Sequence, residues 1–219
     1  MIPVITIDGP TASGKGTIAS RVAEVLGFRY LDSGALYRLT AYASLKAQLD
    51  LTHEATIEKV ALNLAPEFKD GRIYLDGEDV TEKIRQEAVG VAASKVAVLP
   101  KVREQLIDLQ KRSRVAPGLV ADGRDMGSVI FPEATLKVFL TASAQARAER
   151  RFNQLKEKGI TANITTLTQD LQERDRRDME RAVSPLAPAE GAKILDSSNL
   201  TIEKTVEQVL LWYKEACSA

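Results

Sequence analysis

A glycine-rich segment near the start of the chain constrains the fold more than any other feature of the sequence. The apolar run Val4–Ile7 predicts a buried strand, residues 9–17 read Gly-Pro-Thr-Ala-Ser-Gly-Lys-Gly-Thr, and helical spacing of apolar residues follows from Thr17 to Leu26. A strand, a glycine-rich loop and a helix in this order direct backbone N–H groups and a helix N-terminus at a phosphate. The sequence therefore predicts an α/β protein of the P-loop type.

The loop supplies most of the candidate nucleotide contacts. The residues expected to bind the triphosphate of ATP are Gly9, Pro10, Thr11, Ala12, Ser13, Gly14, Lys15, Gly16 and Thr17. Lys15 brings a mobile positive charge to the β- and γ-phosphates, which makes it a catalytic candidate. The usual motif has Ser or Thr directly after the lysine. Here Gly16 occupies that place, and Thr17, one residue later, is the candidate Mg²⁺ ligand.

The rest of the chain continues the alternation of strands and helices. Further apolar strands are predicted at 28–31, 119–122, 136–140 and 193–196. Short apolar strands separated by helices indicate a five-stranded parallel sheet with helices on both faces. The predicted core comprises residues 1–34, 106–143 and 182–219, within a single domain.

One segment departs from this alternation. Residues 66–80 contain two turn signals, Asp70-Gly71 and Asp76-Gly77, around the short run Arg72–Leu75, which predicts a small antiparallel sheet. It lies in a predicted insertion of about residues 35–105, together with helices near 54–64, 87–98 and 100–114. Two charged helices, near 144–158 and 165–181, form a second predicted addition at about 144–181.

Charge and cysteine content exclude several classes of protein. Lys plus Arg and Asp plus Glu both number 30, so the net charge is zero, without the basic excess of a nucleic-acid-binding protein. No apolar stretch is long enough to cross a membrane. The one cysteine, Cys217, fits a reducing compartment. We therefore expect a cytoplasmic protein that binds neither nucleic acid nor membrane. No apolar stripe remains once the core is assigned, so we expect a monomer.

Arginines at strand and helix ends indicate what receives the phosphate. No guanine-reading Asn-Lys-x-Asp run accompanies the loop, which counts against a GTPase. Arg124 follows a predicted strand, Arg38 follows a helix start and Arg181 ends a helix. Ligands of open α/β sheets bind at strand ends, and cations there reduce the repulsion between two phosphates. Each arginine has the alternative of being a solvated surface side chain.

Six motifs in order give a specific resemblance. The chain is similar to the bacterial-type cytidylate kinases, a family of P-loop nucleoside monophosphate kinases, from residue 4 to residue 213. The motifs are G-P-x-x-x-G-K-G-T, L-D-S-G-A-L-Y-R, S-K-V-A, P-K-V-R-E, A-D-G-R-D-M-G-x-V-I-F-P and E-R-D-x-R-D-x-x-R-A-V-x-P-L. The resemblance implies direct transfer of the γ-phosphate of ATP to CMP and dCMP in the presence of Mg²⁺, without a covalent intermediate.

The resemblance also implies roles for residues beyond the phosphate loop. Arg38, Arg124 and Arg181, all catalytic candidates, and Tyr37 would hold the acceptor phosphate. Ser94, Arg103 and Asp125 would recognise the cytosine, Ser33 would line the same pocket, and Asp178 would bind the ribose hydroxyls. Cytosine carries an amino donor at N4, which suits the Asp125 carboxylate, whereas uracil carries an acceptor oxygen there.

Two assignments have alternatives; the lid is the favoured interpretation of the first, and the two interpretations of the second are evenly matched. The arginine-rich segment 144–181 is either a lid that closes over ATP, with Arg150 and Arg174 as contacts, or a pair of solvated helices joined by ion pairs. Asp122, at the end of a predicted strand, is either a water-mediated Mg²⁺ ligand or a capping carboxylate.

Three other functions are compatible with a phosphate loop. The chain could be a kinase for UMP or for a hydroxyl acceptor, a nucleotide-dependent switch with negligible transfer, or a nucleic-acid-binding module. Substrate competition separates the first from a CMP kinase. Hydrolysis without acceptor stimulation would mark the second, and salt-dependent binding of DNA or RNA the third.

Overall fold

The computed structural model describes residues 2–69, 71–157 and 159–218. Eight strands occur in this part of the chain: β1 (Val4–Asp8), β2 (Arg29–Asp32), β3 (Pro66–Lys69), β4 (Arg72–Leu75), β5 (Glu78–Asp79), β6 (Leu119–Gly123), β7 (Leu136–Thr141) and β8 (Lys193–Asp196). Eight α-helices accompany them: α1 (Lys15–Leu26), α2 (Ser33–Lys46), α3 (Glu54–Leu62), α4 (Glu87–Val96), α5 (Pro100–Lys111), α6 (Ala144–Glu157), α7 (Ile164–Glu180) and α8 (Ile202–Ser218). A 3₁₀ turn covers Lys83–Arg85 and a π-helix covers Met126–Ile130.

The chain forms two compact units. The first comprises Met1–Leu31 and Ser113–Ala219, and the second comprises Asp32–Arg112. The functional division into core, insertion and lid remains a prediction.

The first unit is built on the five-stranded parallel sheet that the sequence predicts. The strand order is β2-β6-β1-β7-β8, with β1 central and parallel to both β6 and β7. Every residue of β1 and β6 is buried, so both faces of the sheet centre are covered. Helices α1 and α8 pack on one face, where Ile18 and Val22 meet Val206 and Val209. The parallel arrangement brings the carboxyl ends of β1 and β6 together at one edge.

Two details of this unit differ from the sequence prediction. Helix α1 begins at Lys15 and not at Thr17, so the end of the glycine-rich segment already has helical backbone. Val25, one of the apolar residues in the segment from Thr17 to Leu26 with helical spacing, is 63% exposed. The buried stripe of α1 runs through Ile18, Ala19, Val22 and Ala23, and position 25 falls to one side of it.

The second unit contains the small antiparallel sheet. Strand β4 pairs with β3 and β5, and the register places Phe68 opposite Ile73 and Tyr74 opposite Asp79. This confirms the meander predicted for residues 66–80; of its two turn signals, Gly71 and Asp76-Gly77 are described, whereas Asp70 lies outside the described residues. Helix α2 packs against α4, and α3 against α5. Lys158, the predicted last residue of α6, also lies outside the described residues.

Candidate active site

The glycine-rich loop connects β1 to α1 and has the backbone of an anion-binding site. Ala12 and Gly14 are both in the left-handed region, with φ of 60° and 92°. At Gly9, a side chain is sterically impossible because a Cβ would lie 2.0 Å from the Leu140 carbonyl oxygen. The first hydrogen bond of α1 runs from Ile18 N to Gly14 O at 3.0 Å. The preceding N–H groups therefore lie at an open helix N-terminus, where phosphate oxygens bind well.

Two side chains of the loop fit a phosphate ligand. Ser13 Oγ is buried and has no hydrogen-bond partner among the residues that the structure describes. An orphaned buried hydroxyl next to open backbone donors suits an oxygen-rich ligand. Lys15 Nζ donates a hydrogen bond of 3.4 Å to the Pro10 carbonyl, which holds the ammonium over the loop. Binding of a triphosphate by these residues remains a prediction.

Thr11 connects the loop to three other elements. The guanidinium of Arg124, just after β6, donates to Thr11 Oγ1 at 2.8 Å. Arg147 of α6 donates to Thr11 O at 2.9 Å, and Thr11 N donates to Asp175 Oδ1 of α7 at 3.3 Å. All three polar groups of a single loop residue are thus engaged. The loop tip is joined to the strand edge and to both charged helices.

The two charged helices are joined by a buried ion pair. Arg147 Nη1 lies 2.6 Å from Asp175 Oδ2, and the two side chains are only 7% and 9% exposed. Arg150 donates to Ser13 O at 3.0 Å and also contacts the carbonyl of Ser197, after β8. Arg176 instead faces solvent and pairs with Glu173 at 3.0 Å. The segment therefore has one face on the phosphate loop and one solvated face, and closure of a lid over ATP remains a prediction.

Arg124 and Asp178, two predicted acceptor-binding residues, form an ion pair in the first unit. Arg124 Nε lies 2.8 Å from Asp178 Oδ2, with side-chain exposures of 16% and 12%. Burial by itself raises the pKa of Asp178. The charges of Arg124, Arg174 and Arg181 and the hydrogen bond from Arg124 outweigh burial and hold the pKa of this carboxyl below its usual value. The charge of Asp178 is thus influenced by two arginines predicted for the acceptor phosphate, Arg124 and Arg181, and by Arg174, predicted for the lid.

A further group of predicted residues lies in the second unit. Ser33, the first residue of α2, donates to Gln110 Oε1 at 2.9 Å in a buried position. The Arg103 guanidinium of α5 lies 5.5 Å from the centre of the Tyr37 ring, a cation–π distance, and donates to Ala97 O at 3.0 Å.

Arg38 and Ser94 belong to the same unit. Arg38 donates to Ile84 O at 2.8 Å and packs over Gly90, where an added Cβ would lie 3.0 Å from its guanidinium. Ser94 donates weakly to Gly90 O at 3.4 Å. Helices α2, α4 and α5 therefore hold the five predicted residues of this unit: Ser33, Tyr37, Arg38, Ser94 and Arg103.

The two candidate metal ligands differ in their surroundings. Asp122 is buried at the end of β6, where its Oδ1 accepts a hydrogen bond of 2.8 Å from Tyr30. Thr17 is exposed in the first turn of α1. A Cβ at Gly16 would lie 3.4 Å from Tyr30 Oη and 3.9 Å from Asp122 Oδ2, so Gly16 borders the same carboxylate. Within the described ranges, no group of three or more His, Cys, Asp or Glu side chains is arranged as a metal centre.

Sequence reasoning missed several residues of this region. Asp8, the last residue of β1, is buried, and its two carboxylate oxygens accept hydrogen bonds from the backbone of Met126 and Gly127. Arg147 and Asp175 lie in the charged segment 144–181, and nothing in the sequence distinguishes them from its other charged residues. The one sequence signal for Asp8 is its place between an apolar strand and the glycine-rich loop, since a carboxylate there lies at a ligand-binding edge.

No helix in the described part of the chain combines the length and apolarity that crossing a membrane would need.

Comparisons with known proteins agree on a family. The sequence model of the family described as cytidylate kinase matches residues 5–215. A cytidylate kinase from Polynucleobacter asymbioticus is 58% identical over 98% of this chain and 98% of its own length. One from Burkholderia thailandensis is 59% identical over 97% of this chain and 93% of its own.

Solved structures agree on the fold. A gluconokinase from Sinorhizobium meliloti superposes with a TM-score of 0.50 at 15% identity, covering 98% of this chain and 93% of its own. An uncharacterised protein from Eubacterium ventriosum superposes with a TM-score of 0.54 at 10% identity, covering 97% of this chain and 98% of its own.

Proposed function

The chain belongs to the cytidylate kinase family, and from this premise we propose that it transfers the γ-phosphate of ATP to CMP and dCMP. One observation carries the proposal. Arg124 lies at the edge of the parallel sheet and donates to Thr11 of the phosphate loop. A cation suited to an acceptor phosphate is therefore in direct contact with the loop suited to the phosphates of the donor.

The chemistry requires alignment and charge neutralisation rather than a base. A nucleoside monophosphate has its second pKa near 6, so at pH 7 its phosphate oxygen is already an anionic nucleophile. In-line attack then needs the donor held by the loop backbone and Lys15, and the acceptor held by arginines. We assign Arg38, Arg124 and Arg181 to the acceptor phosphate. No covalent intermediate is required.

Recognition of the pyrimidine nucleoside is assigned residue by residue. We propose that Ser33, Ser94 and Arg103 contact the cytosine and that Tyr37 supports the acceptor phosphate. The hydrogen bonds of Ser33 and Arg103 within the second unit restrict the rotamers of these two side chains, which favours recognition.

Asp125 and Asp178 complete the proposed acceptor contacts. Asp125 is assigned to the cytosine N4 amino group and Asp178 to the ribose hydroxyls. The lowered pKa of Asp178 keeps it ionised and able to accept two hydroxyl donors at neutral pH.

Mg²⁺ is part of the proposal. When bound, it would neutralise charge on the β- and γ-phosphates. Asp122 fits a water-mediated ligand because its Oδ2 faces the backbone of Gly16, and Thr17 is the second candidate. Arg150 and Arg174 are the proposed lid contacts to ATP; Arg150 already binds the loop carbonyl of Ser13. We further propose a monomer that acts in the cytoplasm and does not bind nucleic acid.

The test is a coupled assay of ADP release with ATP and Mg²⁺. Separate reactions contain CMP, dCMP, UMP, AMP, GMP or shikimate. We expect strong turnover with CMP and dCMP and little with the others. Turnover with another acceptor would refute the pocket assignment, and ADP release that no acceptor stimulates would favour a nucleotide-binding switch.

A pair of variants tests the observation on which the proposal rests. Arg124→Met should lower kcat/KM for CMP by about 10²–10³, since it removes a charge that stabilises the transferring phosphoryl group. Arg176→Met is the matched control, because Arg176 lies on the solvated face of α7 with 58% of its side chain exposed. An Arg124→Met loss no larger than the loss in this control would exclude Arg124 from the acceptor site.

A further inference from the structure

The residue that begins the phosphate loop also holds the turn carrying two proposed acceptor contacts. Asp8 is the last residue of β1 and pairs in register with Gly123, the last residue of β6. Its Oδ1 accepts from Met126 N and its Oδ2 from Gly127 N, both at 2.9 Å. Asp8 therefore lies against both ends of the five-residue turn 123–127: against Gly123 through strand pairing, and against Met126 and Gly127 through its carboxylate. Arg124 and Asp125 lie between these two ends.

The turn has no room for a side chain at either of its glycines, Gly123 and Gly127. At Gly123, a Cβ would lie 2.9 Å from the Met126 side chain, which packs over the end of the strand. At Gly127, a Cβ would lie 2.8 Å from Thr6 Oγ1, itself buried and without a partner among the described side chains. The turn then enters the π-helix, where Phe131 N donates to Met126 O at 2.7 Å. π-Helices are rare and concentrate at functional sites.

The hydrogen-bonding chemistry requires a carboxylate at position 8. Two backbone N–H groups face this side chain, and both are donors. An ionised carboxylate presents an acceptor oxygen to each, whereas an asparagine of the same shape would turn its amide NH₂ toward one of them. Burial of a charge is costly, and burial raises the pKa of Asp8 to about 6. The carboxyl is still mainly ionised at pH 7, so the turn keeps both of its hydrogen bonds.

We propose that Asp8 is a positioning residue for the acceptor: by holding Met126 and Gly127, its carboxylate fixes the direction in which Arg124 and Asp125 are presented. The inference rests on the proposed function, because the acceptor roles of Arg124 and Asp125 belong to it. Asp8 touches neither nucleotide in this scheme. It acts on the acceptor side although it directly precedes the donor loop in sequence.

The test compares Asp8→Asn with Asp175→Asn in the full-length protein. Both changes replace a buried carboxylate that accepts backbone N–H donors, but Asp175 binds Thr11 of the donor loop. With Asp8→Asn we expect KM for CMP to rise on the order of tenfold, with KM for ATP changed less than about twofold. With Asp175→Asn we expect the larger change in KM for ATP. Asp50→Asn, an exposed carboxylate that accepts from Thr52, should change neither.

A further variant separates failure of the positioning role from failure of the cytosine assignment. Asp125→Ala tests the assignment to cytosine: an unchanged preference for CMP over UMP refutes that assignment, whatever Asp8→Asn does. If Asp8→Asn raises the two KM values equally, or leaves both unchanged, the positioning role is refuted.

If Asp8→Asn does not fold, hydrogen exchange of the wild-type protein decides. The proposal expects the amides of Met126 and Gly127 to be among the slowest to exchange in the segment 124–131. Exchange of these two amides as fast as that of exposed residues would overturn it.

Discussion

Two regions of the molecule each contain an Arg–Asp pair with the same contact distance, yet the surroundings of the two pairs are opposite. Around the phosphate loop, Arg147–Asp175 is a contact of 2.6 Å between side chains 7% and 9% exposed. In the small antiparallel sheet, Arg72–Asp79 is also a contact of 2.6 Å, but the side chains are 64% and 34% exposed. Contact distance alone does not distinguish these pairs.

The difference shows that burial decides what an ion pair contributes. In water, solvation competes with the attraction and holding two long side chains costs entropy, so an exposed pair contributes little. In the interior, each charge has lost its hydration and depends on its partner, so removal of one partner is severe. The buried pair also lies where three elements converge on Thr11. We infer that charge in the first unit fixes the geometry of a site, whereas charge in the antiparallel sheet mainly solvates a surface.

The largest loss of stability is expected for Arg147→Met, which removes one partner of the buried pair. The substitution leaves Asp175 buried without its main partner and should lower the free energy of unfolding by about 3–5 kcal/mol. Urea unfolding followed by the fluorescence of Trp212, the single tryptophan, measures this in the first unit. Arg72→Met is the matched control and should leave the transition observed by circular dichroism unchanged.

The double variant Arg147→Met/Asp175→Leu sharpens this prediction. It removes both charges, so it should recover much of the lost stability. Equal losses of unfolding free energy in Arg147→Met and Arg72→Met would contradict the inference that burial decides the contribution of an ion pair. If the double variant does not recover stability, the loss is due to packing or to the hydrogen bonds on Thr11.

A smaller change in stability is expected when the pH is varied, because Asp8 is a buried acid. Burial raises the pKa of Asp8 from 3.8 to about 6, so the folded protein binds more protons than the unfolded chain between these values. The contribution of this group to stability is therefore fully present below pH 3.8 and is lost as the pH rises through 6. A rise in the pKa from 3.8 to about 6 corresponds to about 3 kcal/mol. Urea unfolding from pH 4.5 to 7.5 should show the wild type losing stability relative to Asp8→Asn as the pH rises.

The comparison with Asp8→Asn isolates this group. Other carboxyls cancel in the difference between the two proteins, including Asp178, whose lowered pKa has the opposite linkage. The charged groups that act on Asp8 are Asp125, which raises its pKa, and Arg124, which lowers it. A difference that stays constant with pH, or that grows in favour of the wild type, would show that Asp8 is not a buried titrating acid.

Features that depend on neighbouring residues could be predicted from the sequence, whereas contacts between distant residues could not. The strand, loop and helix from Val4 to Leu26 follow from local periodicity and glycine spacing, and the meander at 66–80 follows from its turn signals. The role of Asp8 could not be predicted, because its partners lie 118 and 119 positions away and its place after an apolar strand does not indicate which residues it contacts. The bond from Thr11 to Asp175 spans 164 positions. Which of many helical arginines faces the loop is decided by tertiary packing.

The smallest effect is expected in the antiparallel sheet. Glu78 is the centre of its ion pairs: it contacts Lys83, lies 2.7 Å from Lys46 and accepts a hydrogen bond of 3.1 Å from Tyr42. Glu78→Gln keeps the length of the side chain and an acceptor for Tyr42 while it removes the charge. We expect no measurable change in the unfolding transition observed by circular dichroism, because the lysine side chains are 63% and 48% exposed and water replaces the lost attraction.

Salt gives an independent form of this last prediction. In about 0.5 M NaCl the screening length falls to about 4 Å, which weakens attraction between exposed charges and leaves buried pairs nearly unaffected. Salt should therefore change the free energy of unfolding of the wild type and of Glu78→Gln by the same amount. The loss of stability in Arg147→Met should persist in salt. A loss of stability in Glu78→Gln that matches Arg147→Met, and that salt reproduces in the wild type, would mean that the exposed charges act as a cooperative network. In that case exposure would no longer predict which ion pairs maintain the structure.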